Sequence, residues 1–214
     1  MICDCGLSNR SRLLLYYINK FKLTYKNKKN CFYENNTPLT KKFDSISENK
    51  SYQSVYTNKR NHALFQDMTK STYKSNFFDA VIHNDVLEHI PNYKQALYDN
   101  QRILKKNGIL IFTAPFFGMR HNVIRAKIDK EGKIKHLMKE IYHGDPLNPK
   151  GILAFYEFGW DLYNDLVETG FSTIRLCVNY DLISGFLSNF CPVKNKTNGS
   201  KYGNMLPCVF VAIK

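Results

Sequence analysis

The chain has 214 residues, 43% of them apolar and 14% aromatic, enough to fill one core of ordinary size and too many for a disordered polymer. It carries 31 Lys and Arg against 18 Asp and Glu, a net charge of +13, which admits nucleic acid or an anionic surface as a partner without requiring either. No apolar run approaches the roughly 20 residues of a membrane-spanning helix, and Met1-Ile2-Cys3-Asp4-Cys5 is not a basic segment leading into an apolar one. A cytoplasmic protein with no membrane partner is therefore expected. Triplets such as Asn195-Lys196-Thr197 then carry no glycosylation meaning.

In chain order, Cys3-Asp4-Cys5-Gly6 has the look of one zinc-ribbon knuckle, but Cys31, Cys177, Cys191 and Cys208 are scattered singly and a closed zinc site needs four ligands. No metal site is assigned, and the thiols are expected to stay reduced. Ser8 is placed to cap a helix running to about Phe21, with Leu14, Ile18 and Phe21 on one face. Residues 1–28 thus read as an N-terminal helical segment. The lysines around Lys20 to Lys29 and Arg125 to Lys135 lack the interleaved strand aromatics of an RNA module and read as solvated surface in preference to a nucleic-acid footprint. A first strand is expected near Cys31 to Glu34, leading into Tyr33-Glu34-Asn35-Asn36-Thr37-Pro38, and a second from Tyr52 to Tyr56, leading into Thr57-Asn58.

The clearest pattern runs from Phe77 to Pro115. Asp79-Ala80-Val81-Ile82 has strand length and apolarity, and the polar residues His83, Asn84, Asp85 and Glu88 follow where such a strand ends. Pro91 stands near a helix start, Ala96, Leu97, Ile103 and Leu104 recur at helical spacing, and Lys105 and Lys106 load the last turn. Gly108 is expected to close that helix as a left-handed cap. Ile109 to Thr113 is then a second strand, which a right-handed crossover places parallel to the first.

Residues 117–155 fall outside this alternation and combine Arg120, His121, Arg125, His136, Tyr142, His143 and Asp145 with several glycines. They read as a lid inserted at the ligand edge. Trp160, Leu162, Leu166 and Val167 mark a last helix stopped by Gly170, with Trp160 read as core. Phe171 to Val178 and Pro207 to Ile213 are expected to pair antiparallel across the polar loop Ser188 to Asn204. The fold class is α/β: a single domain over residues 1–214, a doubly wound, Rossmann-like, mostly parallel sheet with an antiparallel C-terminal hairpin.

Phe78-Asp79, Val86-Leu87-Glu88-His89-Ile90, Arg102-Ile103-Leu104-Lys105 and Gly108-Ile109-Leu110 resemble, in order and spacing, the class I S-adenosylmethionine-dependent methyltransferases of the type 11 kind. Weaker likeness extends to Gln66-Asp67-Met68-Thr69 and to Phe158-Gly159-Trp160-Asp161-Leu162. The resemblance implies S-adenosylmethionine as cofactor, the Phe78 to Ile82 strand as the sheet's fourth, and the Val86 to His89 turn beside the cofactor. It also implies Gly108 as opening the turn into the fifth strand, Asp67 facing the adenine amino group, and Met68 stacking on the ring. In similar enzymes a Cys-Gly followed by Arg-rich and Leu-rich residues lies downstream of a zinc ribbon, so the resemblance leaves open that an upstream half has been lost.

The family's first strand usually ends in a glycine-rich turn that lets backbone approach the cofactor. Here no glycine stands between Gly6 and Gly108, and no acid ends the second strand to take the ribose hydroxyls. Two readings stand side by side: Asn35 and Asn36 replace glycine, since Asn tolerates left-handed backbone, or the site has decayed and a noncatalytic, methyltransferase-like binding protein remains. A basic RNA-associated module is a third. The cofactor-side candidates are Tyr33, Glu34, Asn35, Asp67, Met68, Asn84 and Asp85, with Asn58 beside them. Methyl transfer requires an acceptor held in line with the sulfonium methyl and a base for its proton where it has one. The catalytic candidates are His143, Tyr142 and His89, with Asp145 as carboxylate neighbour of His143, against the plainer reading of a turn fixed by Asp145-Pro146 with His143 solvated. The methyl acceptor and the oligomeric state are left open.

Overall fold

In the computed structural model, residues 4, 6–57, 61–145, 148–179, 181 and 206–214 are described, without the side chains of 145 and 148–150. The Cys3–Cys5 pair, Cys191, Asn58, Pro146 and the loop 188–204 lie outside them.

Six strands build the central sheet: β1 (Asn30–Phe32), β2 (Tyr52–Gln53), β3 (Phe78–Asn84), β4 (Leu104–Thr113), β11 (Thr173–Val178) and β12 (Cys208–Ile213). Their order is β11-β12-β4-β3-β1-β2. β2, β1, β3 and β4 run parallel, and β12 is antiparallel to both β4 and β11, as the sequence predicts for the C-terminal hairpin. An isolated parallel bridge between Val55 and Phe65 extends the sheet edge beyond β2. That bridge takes the place of a third strand, so β3 corresponds to the fourth strand of the resemblance.

Alternation along the strands distributes the core over two faces. Val81, Leu110, Phe112 and Phe210 pack with α3 (Tyr93–Ile103) and α4 (Asp161–Glu168). Ala80, Ile82, Ile111, Val209 and Val211 pack with Leu13, Leu14 and Ile18 of α1 (Asn9–Lys20) and with Leu39 and Phe43 of α2 (Pro38–Ile46). Ser8 caps α1 by accepting from the Ser11 amide, Thr37 caps α2 from its hydroxyl, and Asn92 caps α3. Among the described residues no helix is long and apolar enough to cross a membrane.

Three expectations are corrected. α3 ends at Ile103 and the chain goes straight into extended backbone at Leu104, so Gly108 is not a helix cap. Between Phe78 and Ala80 on β3 the partner strand advances from Leu104 to Ile109, and this bulge turns at Asn107, whose φ is 63°. Gly108 is required for a different reason: a Cβ there would stand 2.8 Å from the Lys105 carbonyl oxygen. Lys105 itself leaves the helix and donates to Asp79 at 2.7 Å. Trp160, expected in the core, is 44% exposed, with one edge against Phe116, because it precedes the first turn of α4 and faces outward.

The segment expected as a lid is built of short antiparallel pairs: β5 (Val123–Ile124) with β10 (Tyr156–Glu157), β6 (Ala126–Ile128) with β7 (Ile134–His136), and β8 (Tyr142–Asp145) with β9 (Asn148–Leu153). Arg125, 5% exposed, anchors it through Glu157 and the Lys139 carbonyl oxygen. The Phe155 amide donates 2.7 Å to the Glu88 carbonyl oxygen, which ties the lid to the turn after β3.

Candidate functional site

At the carboxyl ends of β1, β3 and β4, Glu34, Asn84, Asp85 and Thr113 come together, as ligand-binding sheets of this type require. The Thr113 hydroxyl lies 2.9 Å from both Asn84 Oδ1 and Asp85 Oδ1, and the Asp85 amide donates back to Thr113 Oγ1 at 3.0 Å. Asp85 holds a left-handed φ of 54°, a conformation Asp tolerates through its short polar side chain. From α1, Arg10 reaches over this edge and pairs with Asp85 at 2.7 Å.

Glu34 accepts from the Thr37 hydroxyl at 2.6 Å through Oε2, while its buried Oε1 has no hydrogen-bond partner. Burial pushes its carboxyl up to about 7, with the Asp85 charge adding to the rise. Two residues on, Asn36 has φ 56°, and its amide donates to Gln53 Oε1 at 3.0 Å. The turn thus places an asparagine where left-handed backbone is needed. Asn35 is half-buried beside it.

Tyr33 turns the other way, into the α3 side of the core. Burial pushes its hydroxyl well above the usual range, beside Cys31, Ser71 and Asp99. Asp67 accepts from the Thr69 amide and hydroxyl at 2.9 and 2.7 Å, and Met68 is 3% exposed in the same core cluster as Cys31 and Phe78. This segment is held by Arg102, which bonds Asp99, Ser71 and the Tyr73 carbonyl oxygen.

A second group of side chains forms where the lid meets the 3-10 turn Leu87–His89. Glu88 is fully buried, and neither of its carboxylate oxygens has a hydrogen-bond partner. His89 Nε2 lies 3.8 Å from Glu88 Oε1 and His143 Nδ1 lies 3.6 Å from it. The two rings meet edge to face, centroids 5.0 Å apart. His89 Nδ1 stands 2.8 Å from the Leu153 carbonyl oxygen. Tyr142 points away, 49% exposed, and donates to Glu140 at 3.0 Å.

Residues 43–112 match the family described as Methyltransferase domain. The whole chain superposes on an S-adenosylmethionine-dependent methyltransferase from Mesorhizobium loti with a TM-score of 0.62 at 11% identity, over 99% of this chain and 100% of that one. The stretch 43–112 thus carries the methyltransferase family's signature, and the chain as a whole has the methyltransferase fold. At identities this low, individual structures speak for the fold alone, and the methyltransferase fold is also that of the [4+2]-cyclase SpnF (TM-score 0.58, 14% identity, 95% of this chain and 81% of that one). Phosphoethanolamine N-methyltransferase 2 of Haemonchus contortus, in complex with phosphomonomethylethanolamine and S-adenosylhomocysteine, is similar at a TM-score of 0.54 and 12% identity, over 94% of this chain and 52% of that one. No curated protein sequence matches the chain.

On this methyltransferase scaffold the sequence-derived candidates separate into groups. Glu34, Asn84 and Asp85 share the carboxyl edge. His89 and His143 meet each other, and the carboxylate facing both is Glu88. Sequence reasoning had paired His143 with Asp145 instead. Arg10 and Thr113 were missed as site residues: one lies in a helix far upstream, the other inside an apolar strand run.

Proposed function

We propose that this chain transfers a methyl group from S-adenosylmethionine to an acceptor held between the carboxyl edge and the lid. The observation that carries this reading is the orphaned, buried Oε1 of Glu34 at the carboxyl end of β1, an acceptor left for a ligand's donor or positive charge. Bound there, S-adenosylmethionine supplies a methyl group activated by its sulfonium. Glu34, on ionising, gives the edge a negative charge suited to a cationic ligand, Asp85 is balanced by Arg10 beside it, and Asn84 adds an amide able to donate and accept. Asp67 has carboxylate capacity left for the adenine amino group and Asn35 stands at the neighbouring wall, while Tyr33 and Met68, turned into the core, support that wall from behind.

On the lid side, His143 takes the acceptor's proton where the acceptor has one, with Glu88 stabilising the imidazolium that results. His89 orients the pair, its own ring fixed by the Leu153 carbonyl. Tyr142 stands at the lid rim as a hydrogen-bonding group for the acceptor's outer part.

Calorimetric titration of the full chain with S-adenosylmethionine and S-adenosylhomocysteine tests the reading. One saturable binding event is expected, and Glu34→Ala should weaken it at least tenfold. No heat with either ligand overturns it in favour of the noncatalytic reading, which the lack of glycine between Gly6 and Gly108 favours.

A further inference from the structure

A fully buried carboxylate whose oxygens lack any hydrogen-bond partner is costly if charged and uncompensated, and Glu88 is in that position. What faces it are two imidazole nitrogens at 3.6 and 3.8 Å, too long for hydrogen bonds. The His89 contact with the Leu153 carbonyl decides the chemistry of one of them. A carbonyl oxygen only accepts, so Nδ1 carries the hydrogen, and the neutral form of the ring presents the Nε2 lone pair on the side of Glu88. The donor atoms of Glu88, His89 and His143 all lie within 4.8 Å of one another. The Glu88 carboxylate and the Nε2 lone pair of neutral His89 thus face one another, and His143 Nδ1 joins them as a third ligand atom in the tautomer that carries its hydrogen on Nε2.

We propose that Glu88, His89 and His143 bind a divalent transition-metal cation of the zinc class. Tetrahedral zinc bonds of about 2.0–2.2 Å place ligand atoms roughly 3.3–3.5 Å apart, so the two carboxylate–imidazole separations need to close by only a few tenths of an ångström, while the imidazole nitrogens, within 4.8 Å of each other, draw together as the side chains turn onto the ion. Two imidazoles and one carboxylate suit zinc or iron(II) far better than magnesium or calcium, and they leave a coordination position for water or an acceptor oxygen. The Leu153 carbonyl is the outer partner that metal-bound histidines regularly have. Because Glu88 and His89 belong to the turn after β3 and His143 to the lid strand β8, the ion fastens lid to scaffold. The site stands whether or not the chain binds S-adenosylmethionine. With the ion in place, His143 Nδ1 is a ligand and not a base.

The test uses the untagged full chain, stripped with a chelator and dialysed against zinc sulfate, with metal content measured by mass spectrometry and affinity by competition with a chromophoric chelator. About one zinc per chain is expected, with affinity reduced about 100-fold or more in His143→Gln and in Glu88→Gln, and unchanged in the Cys3→Ser/Cys5→Ser double variant and in His136→Gln. The melting temperature of the wild type should rise with zinc, and that of His143→Gln should match the stripped wild type and not respond. Cobalt loading should give visible d–d absorption in the wild type and in the cysteine and His136 variants, and not in His143→Gln or Glu88→Gln. Absence of stoichiometric zinc, retention of zinc by a folded His143→Gln variant, or its loss in the cysteine variant overturns the proposal. Zinc binding without S-adenosylmethionine heat would sink the methyl-transfer reading and leave the metal site standing.

Discussion

A Cβ built on Gly151 would lie 2.3 Å from the carbonyl oxygen of His143, and the φ of Gly151 is 77°. Both facts demand glycine at the point where β9 passes β8, so the position of the His143 imidazole over Glu88 depends on a residue with no side chain. Gly151→Ala should cost about 1–3 kcal/mol of local stability. Hydrogen exchange checks this: amides of residues 142–153 should exchange at least tenfold faster in the variant, while β3 and β4 stay protected.

Glu34 makes stability respond to pH and, on the proposed reading, cofactor affinity as well. Its folded-state value of about 7 lies above the ordinary 4.5, so the folded protein holds a proton that the unfolded chain releases between those values. Stability from this group is complete below about 4.5 and declines as pH rises toward 7. Glu34→Gln removes that decline: variant and wild type should diverge by up to about 3 kcal/mol between pH 5 and 8, in the variant's favour. In the wild type, binding of the cationic cofactor near pH 6.5 should release a proton as Glu34 ionises, visible in calorimetry across buffers of different ionisation enthalpy.

Asp85 combines a left-handed backbone with an ion pair to Arg10 and a bond from Thr113. Asp85→Asn keeps tolerance of the left-handed conformation and loses the charge, whereas Asp85→Ala loses both. Chemical denaturation should place Asp85→Ala about 1 kcal/mol below Asp85→Asn. Arg10→Met should cost about 1 kcal/mol and loosen α1 from the carboxyl edge.

What the sequence disclosed follows from which features are local. Val81 and Ile82 alternate between two faces, and so do Leu110 and Ile111, so two helical layers over a parallel sheet were legible from the strand runs. The left-handed Asn36 was legible too, because among ordinary residues Asn is one of few that accept that backbone. Gly108 misled, because glycine serves close approach as well as positive φ, and here Asn107 supplies the φ. The meeting of Glu88 with His143 was not legible. It depends on the packing of short lid strands whose register comes from tertiary contacts such as Arg125 with Glu157, and adjacent Glu88 and His89 look like ordinary turn residues until the lid folds over them. The burial of Met68 was hidden in the same way, since Arg102 and Asp99 of a later helix fix that loop.

His83 sits on β3 with no exposure and no hydrogen-bond partner on either ring nitrogen, stacked on Phe112 with centroids 4.7 Å apart. Phe112 in turn stacks on Phe210 at 5.1 Å. Burial lowers the imidazole to about 3 from an ordinary 6.5, so the folded protein keeps it neutral while the unfolded chain protonates it. Its contribution is complete above about 6.5 and is lost as pH falls toward 3. By pH 4 the loss amounts to about 3 kcal/mol. Replacement by an aromatic of similar size that cannot take a proton should cancel it: His83→Phe extends the stack, leaves stability at pH 7.5 within about 1.5 kcal/mol of wild type, and unfolds at a lower pH in an acid titration followed by circular dichroism. An acid midpoint unchanged in His83→Phe would mean that another group controls acid unfolding.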